Sequence, residues 1–198
     1  MQTRIWSGWI VVGLLGVCCS GPEGRVMEDA EEDVVGNRAA GAETFDRLIE
    51  GAVQKLLLEH SAASTGVRHQ IAVLEVENAS AEELTDWQEQ IYDKLDTSIN
   101  QSERYVTISR RFVDEALRET RLRPDNLFLP KYRRDFIAVL EQSGNPVELL
   151  LFPKLSSGTT RGGDDTTQRN YLLTLELVDV NTGWNERVAE QIRKEYTN

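Results

Sequence analysis

The alternation of apolar and polar residues along the chain is most regular near its C-terminus. Over 171–177 every second residue is tyrosine or leucine, which is the period-2 pattern of a β-strand. The residues of 179–183 then favour a chain reversal, because Asp, Asn, Thr and Gly supply hydrogen-bonding side chains and tolerance of positive φ. A second alternating run covers 188–193. The pattern predicts a chain that ends in a β-hairpin.

Apolar residues that recur at every third or fourth position predict four amphipathic helices upstream of this hairpin. Ser80 and Glu83 form a capping-box pattern that places the start of the second helix at Ser80, and Ser109 is a cap for the third. The helices are expected over 42–60, from Ser80 to Ile99, from Ser109 to before Pro124, and over 131–142.

Short apolar runs predict three further strands, at 70–76, 104–108 and 147–155. The first is apolar on both sides, as expected of a central strand, and a right-handed crossover makes it parallel to the second. Pro153 places the third strand at an edge or a bulge, and the polar run 156–169 is predicted to be a mobile loop. The fold class is therefore α/β, a mixed β-sheet covered by helices in the order α-β-α-β-α-α-β-β-β.

The N-terminal residues combine a basic Arg4, an apolar run and a small-residue end, which is the layout of an export signal. The run Leu-Gly-Val-Cys that ends at Cys18 resembles a bacterial lipobox, although Val17 stands where a smaller residue is usual. The resemblance implies a lipoprotein signal peptide over 1–18 and a lipid on Cys18. No Asp follows the cysteines to retain the protein at the inner membrane, so the outer membrane is expected. Lipidation of Cys19, an uncleaved anchor and plain secretion are the alternatives.

Charge and composition argue against several classes of function. The chain has 198 residues and a formal net charge of -11, which argues against nucleic acid, because binding to phosphates requires Lys and Arg. Acidic residues are concentrated in 19–41, which we interpret as a flexible tether to a globular domain over 42–198. The two cysteines and two histidines lack the spacing of a metal site. No catalytic or cofactor motif occurs, and we predict a protein that is not an enzyme and holds no cofactor or metal.

The order of these elements is similar to that of a known family. The helix AETFDRLIEGAVQKLLL, the strand IAVLEVEN, and the later stretches VELLLFPKLSSG and YLLTLELVDVNTG together resemble the LpoB family of penicillin-binding protein activators over 42–196. The resemblance implies a fold like the N-terminal domain of TolB. It also implies a lipoprotein at the periplasmic face of the outer membrane that binds and stimulates a bifunctional peptidoglycan synthase, a class A penicillin-binding protein. The alternative is a structural assembly module of an envelope or secretion complex.

Two features are candidates for partner binding. Basic residues outnumber acidic ones over 104–134, and we hypothesise that the end of the third helix and the loop 122–130 form a basic docking face for an acidic partner. A solvated surface of internal ion pairs is the alternative. An exposed tryptophan at the hairpin turn is the second candidate, with packing at the hairpin edge as its alternative. The candidate residues are Arg121, Arg123, Arg133, Arg134 and Trp184.

Overall fold

A computed structural model describes residues 41–59, 68–84, 87–161 and 166–197 of the chain. The predicted leader with Cys18, residues 19–40 of the predicted tether and residues 162–165 of the predicted polar loop lie outside the described residues. The described residues form a mixed sheet with helices on both faces, which confirms the predicted α/β class.

Six strands form one sheet. They are β1 (His69–Val73), β2 (Glu77–Ala79), β3 (Tyr105–Thr107), β4 (Leu149–Arg161), β5 (Thr166–Asp179) and β6 (Asn185–Thr197). Their order is β3-β1-β4-β5-β6, and β2 pairs with the later part of β4. β1 is parallel to both β3 and β4, whereas β4, β5 and β6 are antiparallel. The predicted central strand, parallel pair and terminal hairpin are all confirmed.

The helices cover the sheet in pairs. They are α1 (Ala42–Glu59), α2 (Trp87–Gln101), α3 (Arg110–Thr120) and α4 (Pro130–Gln142), with a 3-10 helix at Pro124–Phe128. β1 shows why two cores form, because successive strand side chains point to opposite faces. Ile71 and Val73 join the core under α1 and α2, and Ala72 and Leu74 join the core under α3 and α4.

The predicted start of α2 is wrong. The Ser80 hydroxyl does not cap a helix and instead donates to the side-chain oxygen of Asn78 at 2.7 Å. Two tertiary contacts hold this segment out of a helix. Glu82 accepts a hydrogen bond from Arg169 of β5 at 2.8 Å, and Leu84 is buried in the core. Residues 80–84 are therefore not helical, and the described helix is Trp87–Gln101.

Two strand predictions are also corrected. Pro153 lies within the sheet, because β4 has partners on both sides. β4 pairs with β1 as far as Leu151 and with β2 from Lys154, so Pro153 falls in the break between these partners, where its missing N–H costs no ladder hydrogen bond. The polar run expected to be a loop extends β4 to Arg161 and begins β5 at Thr166. Backbone hydrogen bonds between β4 and β5 stabilise these strand ends, although their side chains are mostly polar.

Candidate docking surface

The described helices cover only part of the sheet face on which α3 and α4 lie. In the described part of the chain, α3 and α4 pack over β1 and the adjoining part of β4, and residues of β4, β5 and β6 on the same face line a groove. This groove has a volume of about 520 Å³ and lies between the 3-10 helix and the sheet. We call it the hairpin groove. Residues that line it include Pro124, Phe128, Phe152, Leu172, Glu176 and Arg187.

An aromatic pair joins the wall of the hairpin groove to its floor. Phe128, from the 3-10 helix, stacks on Phe152 of β4 with ring centroids 4.3 Å apart. Phe128 nevertheless stays 45% exposed. The next residue, Leu129, is also exposed, so this corner of the molecule presents apolar surface to solvent.

The Glu176 carboxylate and the Arg187 guanidinium lie beside Phe152 on the floor of the hairpin groove. Register places Phe152 opposite Glu176, and Glu176 opposite Arg187. Glu176 accepts hydrogen bonds from Arg187 Nε and Asn185 Nδ2, both at 3.0 Å, and from Arg187 Nη2. The Glu176 side chain is 10% exposed and that of Arg187 is 64% exposed. The pair therefore presents its cationic partner to solvent.

The hairpin turn begins three residues after Glu176, at Asp179. Its Oδ1 accepts hydrogen bonds from the N–H of Asn181 at 2.9 Å, the N–H of Thr182 at 2.7 Å and the Thr182 hydroxyl at 2.9 Å. Burial by itself would raise the pKa of Asp179. The hydrogen bonds from Thr182 and Asn181, with the charge of Arg133, outweigh burial and hold the pKa below its ordinary value of 3.8. The turn is thus built around an ionised carboxylate.

Arg133 connects α4 to this turn. The residue is only 8% exposed, and its Nη2 lies 3.1 Å from the position that a Cβ on Gly183 would occupy. Gly183 has a φ of +73°, which glycine adopts readily. Trp184 follows directly and is 51% exposed. Of the predicted docking residues, the structure therefore brings Arg133 and Trp184 together, with Arg133 supporting the turn from inside the molecule.

The other three predicted docking arginines are exposed. Arg121 follows the last turn of α3 with a φ of 56°, and Arg123 directly precedes the 3-10 helix, where its N–H donates to Asn126 Oδ1 at 2.9 Å. Arg134 lies in the first part of α4. Within the described parts of the chain none of the three forms an ion pair. Their action as one docking face stays a prediction.

The hairpin groove was not predicted from the sequence. Its floor residues alternate with core residues along the hairpin, so the sequence shows that they share a face but not that helices leave this face open. The available signal was Phe128 and Leu129, two apolar residues inside the loop 122–130 that had been assigned to the docking face.

The surface is suited to contact with another protein. It combines exposed aromatic side chains with guanidinium groups, and tryptophan and arginine are enriched among the residues that contribute most to binding energy at protein interfaces. In the described ranges, no cluster of His, Cys, Asp or Glu is arranged to hold a metal ion. No helix in the described part of the chain has both the length and the apolar character needed to cross a membrane.

Comparison with known proteins gives one family match. Residues 42–188 match the family of the peptidoglycan-synthase activator LpoB. The LpoB C-terminal domain from Escherichia coli is 18% identical, with a TM-score of 0.48 over 74% of this chain and 97% of that one. The same domain from Salmonella enterica is 18% identical, with a TM-score of 0.47 over the same shares of 74% and 97%. Lipoprotein GNA1162 from Neisseria meningitidis is 15% identical, with a TM-score of 0.43 over 66% and 85%. Comparison with curated proteins gives no significant match.

Proposed function

Because the chain belongs to the LpoB family of peptidoglycan-synthase activators, we propose that it binds and activates a bifunctional peptidoglycan synthase, a class A penicillin-binding protein. The family match over residues 42–188 carries this proposal, since it spans nearly all of the described domain. We further propose that a lipid on Cys18 anchors the protein in the outer membrane, with the domain on the periplasmic side. Activation then consists of tighter binding to the active arrangement of the synthase than to the inactive one.

We assign the contact with the synthase to the hairpin turn and the loop 122–130. Support comes from Trp184, Phe128 and Leu129, which are exposed large apolar side chains, and from the exposed guanidinium groups of Arg121 and Arg123. Arg133 has an indirect role, because it is buried against the turn that carries Trp184. Tryptophan and arginine are the residue types most often responsible for binding energy at such surfaces.

The test is a glycan-polymerisation assay with the full chain and a purified class A penicillin-binding protein in detergent. We expect the polymerisation rate to rise and saturate as the chain is added. Trp184→Ala, or the pair Arg121→Glu and Arg123→Glu, should weaken the apparent affinity by about tenfold or more. Arg47→Glu is the matched control, because this exposed arginine lies on α1, on the other face of the sheet.

Three outcomes discriminate between the candidate functions. A rate increase that Trp184→Ala weakens and Arg47→Glu preserves supports the activator and its docking surface. A stable complex without any rate increase favours the structural assembly module. Absence of a complex with any class A penicillin-binding protein tested overturns the proposal.

The anchor has a separate test. Cys18→Ser should move the protein from the outer-membrane fraction to the soluble periplasmic fraction, because the acyl chain has lost its attachment site. Cys19→Ser is the neighbouring control and should leave fractionation unchanged. The reverse pattern would place the lipid on Cys19, and an unchanged pattern in both variants would indicate an anchor of another kind.

A further inference from the structure

The segment 77–84 leads from β2 toward α2, and its sequence favours a structure other than the one that it adopts. Ser80 and Glu83 form a capping-box pattern, and the positions from 81 to 84 hold only Ala, Glu and Leu, which favour helices. Residues 80–84 are nevertheless not helical. We call the segment 77–84 the strap.

The long-range contacts that hold the strap go to β4 and β5. The N–H of Ala81 donates to the Ser157 hydroxyl at 3.0 Å. The Glu82 carboxylate accepts hydrogen bonds from Arg169 Nη1 at 2.8 Å and from the Tyr171 hydroxyl. β2 adds a parallel pairing with β4 over three residues, all of them exposed. The strap is therefore held by polar contacts, and no residue before its last one is buried.

The last residue of the strap fits a helix as well as it fits the present structure. Leu84 is 3% exposed, and its carbonyl accepts the N–H of Gln88 at 2.8 Å, which is the helical spacing of four residues. Trp87 and Ile91 follow Leu84 by three and seven residues, so all three belong to the core-facing stripe of α2. A further helical turn over 80–84 would therefore keep Leu84 in the core.

The charges of the strap also suit a helix. Glu82 and Glu83 would lie in the first turn, where carboxylates interact favourably with the partial positive charge of the helix N-terminus. This interaction offsets part of the loss of the ion pair with Arg169, in which the Glu82 side chain is 17% exposed and the Arg169 side chain 33% exposed. A segment held by few, partly exposed polar contacts is of the kind that opens locally.

Winding the strap into a helix would change the wall of the hairpin groove. A helix rises about 1.5 Å per residue and a strand about 3.3 Å, so the added turn takes up chain and pulls β2 away from β4. This movement separates Glu77 Oε1 from Lys154 Nζ, which are 2.8 Å apart or less in the present structure, at 2.7 Å. Both residues line the hairpin groove.

We propose that the strap is a two-state switch. In the closed form, which is the structure described above, β2 pairs with β4 and Glu82 pairs with Arg169. In the open form, 80–84 adds a turn to α2, β2 leaves β4, and Lys154 is released at the hairpin groove. A partner that binds the groove in only one form shifts this equilibrium. The switch does not rest on the proposed synthase contact, because its test contains no synthase.

Amide hydrogen exchange of the full chain in detergent, followed by NMR, detects the opening. The N–H of Leu74 donates to the carbonyl of Leu151 at 2.9 Å, so odd-numbered residues of β4 direct their backbone groups toward β1 and β2. The amide of Leu155 therefore faces β2 and reports the release of β2. The amides of Lys154 and Ser156 face β5 and serve as internal controls.

Arg169→Ala should favour the open form, because it removes the charged partner of Glu82 on β5. Exchange at the Leu155 amide should accelerate by about tenfold or more, and the Cα chemical shifts of 80–83 should move toward helical values. Arg193→Ala is the matched control, since this exposed arginine lies on the neighbouring strand β6 and forms no ion pair within the described parts of the chain. It should change neither measurement.

Glu83→Gly tests the switch in the opposite direction. Glu83 is exposed, and glycine disfavours a helix, so this variant should shift the equilibrium toward the closed form. Exchange at the Leu155 amide should slow by about threefold in the otherwise unchanged chain, and the acceleration in Arg169→Ala should fall by the same factor. Thermal unfolding of each variant checks that the domain is intact.

Four results would overturn the switch. The first is unchanged exchange at Leu155 in Arg169→Ala. The second is faster exchange without helical chemical shifts over 80–83, which would show that the strap frays instead of winding. Equal acceleration at Lys154 and Ser156 would indicate a general loosening of the sheet. An acceleration that Glu83→Gly does not reduce would show that helix formation is not involved.

Discussion

The guanidinium of Arg133 lies against the backbone of Gly183, with Nη2 3.1 Å from the site of a Cβ. This contact links α4 to the hairpin turn, and the residue after Gly183 is the exposed Trp184. A residue buried in α4 thereby contacts the turn that carries an exposed aromatic side chain.

Gly183→Ala should destabilise the protein more than Gly144→Ala. Both glycines have positive φ, +73° and +78°, but nothing lies within 4 Å of a Cβ at Gly144. Gly144→Ala therefore carries only the backbone cost of about 1–2 kcal/mol, and Gly183→Ala also displaces Arg133, for about 1 kcal/mol more. Urea unfolding measures both. In an Arg133→Ala background, Gly183→Ala should destabilise the protein no more than Gly144→Ala does. A larger loss there would show that Arg133 is not the cause.

Asp179 should contribute a pH-dependent part of the stability. Its pKa is below 3.8 in the folded protein, so the folded state stabilises the ionised form. This contribution is complete above the pKa of the unfolded chain and is lost as the pH falls through the lower, folded pKa. The free energy of unfolding should therefore decline below about pH 4, more steeply than in Asp179→Asn. Equal slopes for the two proteins in urea titrations would show that Asp179 is not responsible.

Arg187→Ala should destabilise the hairpin by about 1–3 kcal/mol, because it leaves the nearly buried Glu176 carboxylate with fewer donors. Adding Glu176→Gln should recover part of this loss, since a neutral amide needs less compensation. The comparison variant is Lys154→Ala, which breaks the more exposed Lys154 and Glu77 pair. It should cost under about 1 kcal/mol. A similar cost for both single variants would mean that burial of Glu176 does not matter.

Gly51→Ala should have a small effect by itself and a stabilising effect in a Glu190→Ala background. Alanine favours a helix over glycine by about 1 kcal/mol. At Gly51, however, a Cβ would lie 2.7 Å from Glu190 Cγ and Cδ, and moving that side chain disturbs its ion pair with Lys55. With Glu190 shortened, the helix gain should be fully visible as a rise in unfolding free energy. Equal changes in both backgrounds would show that Glu190 yields without cost.

Local patterns predicted most of the fold because they depend on few residues at short range. The hairpin followed from alternation over 171–177 and from the turn residues after Asp179, whose carboxylate makes the local hydrogen bonds that a turn requires. The start of α2 was predicted wrongly, because the capping-box pattern at Ser80 takes no account of contacts with residues far along the chain. Arg169 holds Glu82 from β5, and no local pattern contains that residue.

The candidate docking surface was predicted only in part for the same reason. The exposure of Trp184 followed from its place in the predicted turn, and its contact with a partner stays a prediction. Arg133 was grouped with the exposed arginines, since composition does not distinguish a guanidinium in solvent from one buried against Gly183. The hairpin groove depends on where helices stop covering the sheet, which no single segment encodes.

The sequence by itself determined the class of fold, the order of its elements and the chemistry available at the turn, because periodicity and turn residues act over a few neighbouring positions. Tertiary structure alone decided which arginine is buried and which part of the sheet the described helices leave uncovered. Those properties arise from contacts between residues far apart in the chain, such as Lys55 with Ala189, and are fixed only when helices pack on the sheet.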